Sequence, residues 1–499
     1  MNMRAAVALR TDVSGARLRD QLLMAVLAVS CAVHTWAAAA PAHFNFPGVG
    51  TISVYRGAAP ATGVVLLVPD GASATAGIQQ RAIAAALVDQ GALVASINSA
   101  EWLSVVQASP LRCQSLAGYL ERLSHGLQKR VGLRNYRVPV LVGDGAGAAL
   151  VYAALVQAPV GTFGGAIGLN FCPDLPLANA RLCSNSGAAL HTRADDQRRV
   201  LLQPAPMLQE PWVSMQVPGR QRCPAFSATR FADGMNSASI EQLSNIEFGF
   251  GGVQAWQRRL SVAYQRINAG AEPVAVKTPG VTDLPLTELP VANADGALTS
   301  NNTFAVMLSG DGGWAGLDQD LAAELNRRGI PVVGFSSLRY FWSAQPPDHA
   351  ARDINRIISH YAQAWHRSRV LLIGYSFGAD VLPFIVERLP GATRAQVDSV
   401  SLLGLSSAAD FEVHSSGWMP GDDKGEFPIA PVLRRMHDQK VLCVLGKGET
   451  TSACRLPLGP TVEIAEVGEG HRFSNDVRTL VTRILRRTQR PLTVIDGGR

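Results

Sequence analysis

Arg369 to Asp380 reads RVLLIGYSFGAD, an apolar run that breaks at Gly374-Tyr375-Ser376-Phe377-Gly378 and resumes as the helix-forming DVLPFIVERL. A buried strand that turns sharply into a helix needs glycines on both sides of the turn, because a Cβ there would strike neighbouring backbone. G-x-S-x-G between a strand and a helix is the nucleophile-elbow pattern, and it makes Ser376 the candidate nucleophile. The competing reading is a glycine-flanked serine in an ordinary strand-to-helix turn. The surrounding sequence decides between them.

Working outward, the same sequence of elements occurs twice. FAVMLSGDGGW (Phe304 to Trp314) echoes VVLLVPDG, and LAAELNRRGIPVVGFSS echoes IAAALVDQGALVASINS. RVLLIGYSFGAD echoes VPVLVGDGAGAA, and SLLGLSSAADFEV echoes GAIGLNFCPDLPL. Four elements recurring in one order point to a duplicated unit. Within each copy strands alternate with helices, which predicts a mainly parallel sheet with both faces covered. The copies differ where it matters: Gly145 stands in the first where Ser376 stands in the second. The last histidine of the first copy is His191. The expected architecture is therefore α/β, with two tandem α/β-hydrolase-like domains of which the first is degenerate. The expected boundaries are residues 44–270 and 284–490, joined by a Pro- and Gly-containing linker at 271–283. LPLTELPV is a candidate first strand of the second domain.

The bulk properties agree. The 499 residues exceed one typical core, and 47% hydrophobic with 17% charged residues is a globular composition. The net charge of +6 is spread along the chain without a basic run or an aromatic–basic ladder, which argues against a nucleic-acid partner. It leaves a mild bias toward anionic surfaces such as phospholipid headgroups. Arg4, Arg10, Arg17 and Arg19 precede LLMAVLAVSCAVHTWAAAA and Pro41. This is the order of a secretory signal (residues 1–40) cleaved near Ala39 or Ala40, with a membrane anchor as the alternative. It sets the expected location in the periplasm.

Beyond that leader, six cysteines remain of seven. An even number in a secreted chain implies disulfides. Locality favours Cys443 with Cys454 first, and Cys172 and Cys183 are similarly spaced. There is no C-x-x-C and no histidine cluster at ligand spacing, so neither a zinc site nor any cofactor is expected.

A serine hydrolase of this type carries nucleophile, acid and base in that chain order. His471, in VEIAEVGEGHRFSND ahead of the helical VRTLVTRILRR, is placed to be the base, on a loop made mobile by Gly468 and Gly470. For the acid, Glu449 lies three residues beyond the strand KVLCVLG. The alternative is Asp410 in GLSSAADF, whose counterpart Asp174 survives in the degenerate copy and so suggests a structural role. Loop position favours Glu449. The oxyanion hole is expected from the Phe377 N–H and from the turn SGDGGW, where Gly310, Asp311, Gly312 and Gly313 curl over the site. That turn lacks the G-K-[ST] ending of a nucleotide-phosphate loop. Tyr340, Phe341 and Trp342 either wall a lipid-facing pocket or pack beneath a loop.

These residues resemble the VirJ/AcvB family of bacterial virulence proteins. The carrying stretches are SGDGGWAGLDQDLAAELNRRGIPVVGFSSLRYFW and GYSFGAD, and the tandem arrangement with a degenerate first domain is the AcvB-like one. The resemblance implies a periplasmic α/β-hydrolase with Ser376 as nucleophile. It further implies an ester hydrolase acting on lysyl-phosphatidylglycerol and releasing lysine, with links to type IV secretion and virulence. The contrasting expectation is a periplasmic binding or scaffold protein for secretion-system components. A third is an esterase of other lipid or acyl esters.

Overall fold

The computed structural model describes residues 40–489 apart from 72–75, 112, 176, 178–180, 184–189, 195–199, 218–222, 224–225, 245–252, 272–279, 292–301 and 415–424. The stretch expected to be a secretory leader lies, up to residue 39, outside the described residues.

The first half contains strands β1 (Ala42–Phe46), β2 (Gly50–Tyr55), β3 (Gly63–Val68), β4 (Ala92–Ile97), β5 (Val140–Asp144), β6 (Gly165–Leu169), β7 (Trp212–Gln216) and β8 (Ala238–Gln242). Its principal helices are α1 (Ala76–Val88), α2 (Ser99–Ala108), α3 (Leu116–Arg130), α4 (Ala146–Gln157) and α5 (Val253–Ala271). The second half contains β9 (Leu286–Leu289), β10 (Thr303–Leu308), β11 (Val332–Phe335), β12 (Arg369–Tyr375), β13 (Val397–Leu403), β14 (Val441–Lys447) and β15 (Val462–Glu469). Around it lie α6 (Leu317–Arg327), α7 (Pro347–Ala364), α8 (Phe377–Glu387) and α9 (Val477–Gln489).

Among the described residues the first sheet has the order β1-β2-β4-β3-β5-β6-β7-β8 and the second β9-β11-β10-β12-β13-β14-β15. Without β1 the two orders are identical. In each, the first strand of the shared order is antiparallel to its neighbour and the remaining strands run parallel. The duplication read from the sequence is thus a duplication of topology, down to the strand that runs backwards.

Both faces of each sheet are covered, as parallel strands require. In β10 the alternation of side chains sends Phe304, Val306 and Leu308 to one core and Ala305 and Met307 to the other. In β3, Val64, Leu66 and Val68 part from Val65 and Leu67 in the same way. The helices repeat too. α1 and α5 share one core, as α6 and α9 do; α3 and α4 share the opposite core, as α7 and α8 do.

The two sheets belong to one compact body, and the seam between them is packed. Tyr136 and Val138 of the first half join the core that holds Phe341 and Trp342 of the second. Trp342 is only 3% exposed and donates from Nε1 to the Leu133 carbonyl at 2.7 Å. Lys129, near the end of α3, lies 4.7 Å from the Trp342 ring centroid, donates to the Trp342 carbonyl and pairs with Glu412 at 2.9 Å. Of the two readings offered for Tyr340, Phe341 and Trp342, packing is therefore the one the structure shows. These aromatics close the seam and the adjoining core, where an apolar run is as well satisfied as in a lipid pocket.

Three disulfides form among the described residues: Cys113–Cys183, Cys172–Cys223 and Cys443–Cys454. The neighbouring pair was expected correctly at Cys443–Cys454, but Cys172 does not join Cys183. A parallel bridge between Gln114 and Leu182 carries Cys183 alongside Cys113, with Gln114 N–H donating to Arg181 at 2.8 Å and Cys183 N–H donating to Gln114 at 2.9 Å. Backbone pairing over a long loop overrode sequence locality.

Candidate active site

At the C-terminal end of β12 the chain turns into α8 through Ser376, whose φ of 52° and ψ of −121° lie in a region that residues with a Cβ seldom occupy. The flanking glycines make this turn possible. A Cβ on Gly374 would stand 2.4 Å from the Gly378 carbonyl oxygen, and one on Gly378 would stand 2.3 Å from that of Leu308. Helix and strand are so close that only hydrogens fit between them. The turn holds Ser376 at the head of the sheet, where its hydroxyl can be reached.

His471 Nε2 lies 2.9 Å from Ser376 Oγ, and His471 Nδ1 lies 2.7 Å from Glu449 Oε1. The other Glu449 oxygen accepts the Gly446 N–H at 2.6 Å. Both carboxylate oxygens are thus engaged, one by its own strand end and one by the imidazole. Asp410 is occupied elsewhere: its Oδ1 accepts the Glu426 N–H at 3.0 Å, beside the short pairing of Ala408–Ala409 with Phe427–Pro428. Of the two acids weighed from the sequence, the structure brings Glu449 to the histidine and gives Asp410 to a turn.

The support for His471 is tighter than a mobile glycine loop. β15 runs through Gly468 to Glu469, and the Gly470 N–H donates to the Lys447 carbonyl at 2.9 Å. At Gly468, with φ 57°, a Cβ would stand 2.0 Å from the Phe473 carbonyl oxygen, so this glycine shapes a close turn and does not loosen it. On the ring's other side a Cβ on Gly404 would lie 2.7 Å from His471 Cε1. The Tyr375 hydroxyl reaches the His471 carbonyl at 3.4 Å. His471 keeps 47% of its side chain exposed, so the relay opens to solvent.

Phe377 is the first residue of α8, where a helix leaves its N–H groups without internal acceptors. The SGDGGW turn lies over Ser376: a Cβ on Gly310 would be 3.4 Å from the Ser376 Cβ. Of the residues expected at the oxyanion hole, Phe377 directly follows Ser376 at the start of α8, and Asp311 and Gly312 line the same cavity as Ser376.

Ser376 and His471 open into a cavity of about 370 Å³ that also takes in Asp311, Gly312, Asp318 and Tyr375. Glu121, Arg122 and His125 of α3 form its far wall, so the first domain reaches the candidate site. Glu121 Oε1 is within 3.2 Å of where a Cβ on Gly312 would be. Burial and the neighbouring Asp311 push the Glu121 carboxyl up to about 7, although Arg472 and Arg122 pull it down. Asp318, 2% exposed, is raised well above the ordinary carboxyl range, chiefly by burial. Burial lowers the His125 imidazole to about 3, so it is neutral at physiological pH. The sequence reading passed over Glu121, Asp318 and Tyr375. A signal existed for Asp318, which sits on the same stripe of α6 as the buried Leu321 and Leu325. An acid on an apolar stripe asks for a reason.

No group of His, Cys, Asp or Glu among the described residues could hold a metal ion. No described helix is long and apolar enough to cross a membrane.

An elbow serine, a carboxylate and a histidine in this chain order, Ser376, Glu449 and His471, on this sheet define the α/β-hydrolase fold class. Residues 302–492 match the family model described as bacterial virulence protein (VirJ). Among solved structures, the chain resembles Est1E from Butyrivibrio proteoclasticus at 8% identity and a TM-score of 0.32, with 46% of this chain and 100% of that one covered. It resembles XC6422 from Xanthomonas campestris, described as an α/β serine hydrolase without lid, at 14% identity and a TM-score of 0.30, covering 46% and 94%. A lipase/esterase from Lactobacillus plantarum gives 13% identity and a TM-score of 0.32, covering 46% and 98%. No curated protein matches the chain by sequence.

Proposed function

We propose that this chain is a periplasmic serine ester hydrolase whose substrate is an aminoacylated phospholipid, lysyl-phosphatidylglycerol, from which it releases lysine. The carrying observation is the relay from Glu449 through His471 to Ser376, at 2.7 and 2.9 Å. His471 takes the Ser376 proton as Oγ attacks the ester carbonyl, and Glu449 orients the imidazole and balances its charge. The tetrahedral oxyanion is met by the Phe377 N–H and the Asp311–Gly312 turn. His471 then protonates the departing glycerol oxygen, and water attacking the aminoacyl-serine ester frees the amino acid and restores Oγ–H.

Support for the substrate comes from several directions. The second domain is VirJ-like. Arg122 and Arg472 line the cavity and can pair with a phosphodiester. Among the described residues His471 keeps 47% of its side chain exposed, which leaves the relay open to a substrate presented at a membrane surface. A shallow depression of about 280 Å³ on α9, among Arg478, Arg483 and Arg486, offers cationic surface for anionic headgroups. Three disulfides fit an oxidising compartment.

The test is release of lysine from vesicles containing lysyl-phosphatidylglycerol. Wild-type protein cleaves the lipid and Ser376→Ala does not; equal rates would sink the reading. The packed seam at Trp342 favours a second one, in which the paired domains serve as a scaffold for secretion-system proteins. Failure of a fluorophosphonate to label Ser376 in folded protein would move the balance to it.

A further inference from the structure

The first domain lacks a nucleophile, yet it packs against the SGDGGW turn beside the nucleophile of the second. α4, the helix that leaves the Gly145 elbow, ends at Gln157, and Pro159 and Thr162 just beyond it line the Ser376 cavity. A Cβ on Gly316 would stand 3.0 Å from Pro159 Cβ and 3.3 Å from its Cγ, and one on Gly161 would stand 3.3 Å from the Trp314 carbonyl oxygen. Glu121 of α3 meets the same stretch at Gly312. These first-domain segments are themselves firmly held. The Gly161 N–H donates to Glu210 Oε1 at 2.9 Å, and the Thr162 N–H donates to the Pro159 carbonyl at 3.2 Å. Gln157, wholly buried, accepts the Leu116 N–H at 2.8 Å and so ties the end of α4 to the start of α3. Within the second domain the turn is fastened at its two ends. Ser309 Oγ accepts the Ser337 N–H at 3.0 Å, and Gln319 Nε2 donates to the Trp314 carbonyl at 2.9 Å. Between these points stand Gly310, Gly312 and Gly313, which alone would leave the aim of a backbone donor loose. An oxyanion donor stabilises the transition state only if it is fixed before the charge develops. The first domain bears on this stretch and on Gly316 just after it.

We propose that Pro159 and Gly161 of the degenerate first domain are positioning residues, which brace residues 310–316 so that the turn's backbone donor is aimed at the ester carbonyl. The brace rests on the ester-hydrolase reading for its chemistry but on packing alone for its existence. It gives the first domain a task that needs no nucleophile. The contact at Gly316 is the one that can be tested from both sides. Gly316 has φ 53° and ψ −118°, nearly the conformation in which Ser376 carries its side chain at φ 52° and ψ −121°. A methyl at position 316 is therefore compatible with the backbone, and what it would meet is the Pro159 ring.

Kinetics with p-nitrophenyl butyrate and amide hydrogen exchange, both on the full chain, separate the claims. Pro159→Gly removes the contact and should lower kcat on the order of tenfold with little change in KM, a fraction of what losing an oxyanion donor outright costs. Pro159→Ala keeps the Cβ that faces Gly316 and should stay near the wild-type kcat. Gly316→Ala presses its methyl on the Pro159 ring and should also lower kcat. Adding Pro159→Gly makes room for that methyl, so the double variant should turn over faster than Gly316→Ala alone, whereas unrelated structural damage would add. Exchange requires no chemistry: the amides of residues 310–316 should exchange on the order of tenfold faster in Pro159→Gly and not in Pro159→Ala. Wild-type kcat and exchange in Pro159→Gly, or losses that add in the double variant, overturn the brace and leave the hydrolase standing. Faster exchange in Pro159→Gly with no ester turnover by wild type keeps the brace on the turn and overturns the hydrolase.

Discussion

Gly145 and Ser376 share one backbone conformation, φ 54° and ψ −114° in the first domain against φ 52° and ψ −121° in the second. The first domain has the backbone of the elbow without its serine. Nor does the vacated space wait for a side chain, because a Cβ on Gly145 would lie 2.5 Å from Asp70 Oδ2 and 2.8 Å from its Cγ. Asp70 fills the place of the nucleophile.

Restoring the serine should therefore not restore a site. Gly145→Ser is expected to cost about 1–3 kcal/mol through the clash with Asp70 and the strained φ. In a Ser376→Ala background it should leave the protein unlabelled by fluorophosphonate. Denaturation and labelling check the two halves of this expectation, and labelling at position 145 would contradict it.

The two acids make opposite predictions. Glu449→Ala leaves His471 Nδ1 without its carboxylate and should lower kcat on the order of 10³-fold or more with little change in KM. Asp410→Ala removes the acceptor of the Glu426 N–H and should cost about 1 kcal/mol of stability while leaving most of kcat in place. Kinetics of both variants with one soluble ester decide the matter; a larger kcat loss at Asp410 would reverse the assignment.

What could be read in advance was what the chain encodes locally. The elbow glycines, the terminal histidine and the repeated order of elements are short-range patterns, and the two sheets reproduce them strand for strand. Glu449 over Asp410 followed from distance to a strand end. Glu121 could not be placed, because its approach to Gly312 depends on how one sheet is docked against the other, which no local pattern specifies. The pairing of Cys113 with Cys183 rests on a bridge between two irregular segments and was equally hidden. Tyr340, Phe341 and Trp342 carried a true signal of burial but no address for it.

Gly404 should matter although it takes no part in the chemistry. Its φ is 67°, and a Cβ there would press on the His471 ring at 2.7 Å from Cε1 and 3.0 Å from Nδ1. Gly404→Ala is expected to push the imidazole out of line with Ser376 and lower kcat about 10- to 100-fold. The left-handed backbone would add about 1–2 kcal/mol of instability. A crystal structure of the variant should show the shifted ring; wild-type kcat would mean the ring has room that the geometry denies it.

The Cys443–Cys454 bridge ties the buried strand β14 to the end of the loop that carries Glu449. Its closed loop is short, so replacing both cysteines by alanine should cost about 2–3 kcal/mol. Because Glu449 lies inside that loop, kcat should fall as well, whereas removing Cys113–Cys183 should lower stability with a smaller effect on turnover. Melting temperature and kcat measured on both double variants test the distinction.

Glu121 also makes a prediction about stability, with a sign fixed by its environment. Its carboxyl rises from 4.5 to about 7 on folding because burial disfavours the charge. Between those values the folded protein holds a proton that the unfolded chain has released, so stability falls as pH rises through the window. The penalty is absent below 4.5 and complete above about 7. Glu121→Gln cannot ionise and escapes it. The variant should melt near the wild-type temperature at low pH and above it at pH 8, by an amount equivalent to a few kcal/mol at most. Thermal melts of both proteins across the window, without ligand, check it, and a difference in melting temperature that did not change with pH would show that Glu121 is hydrated.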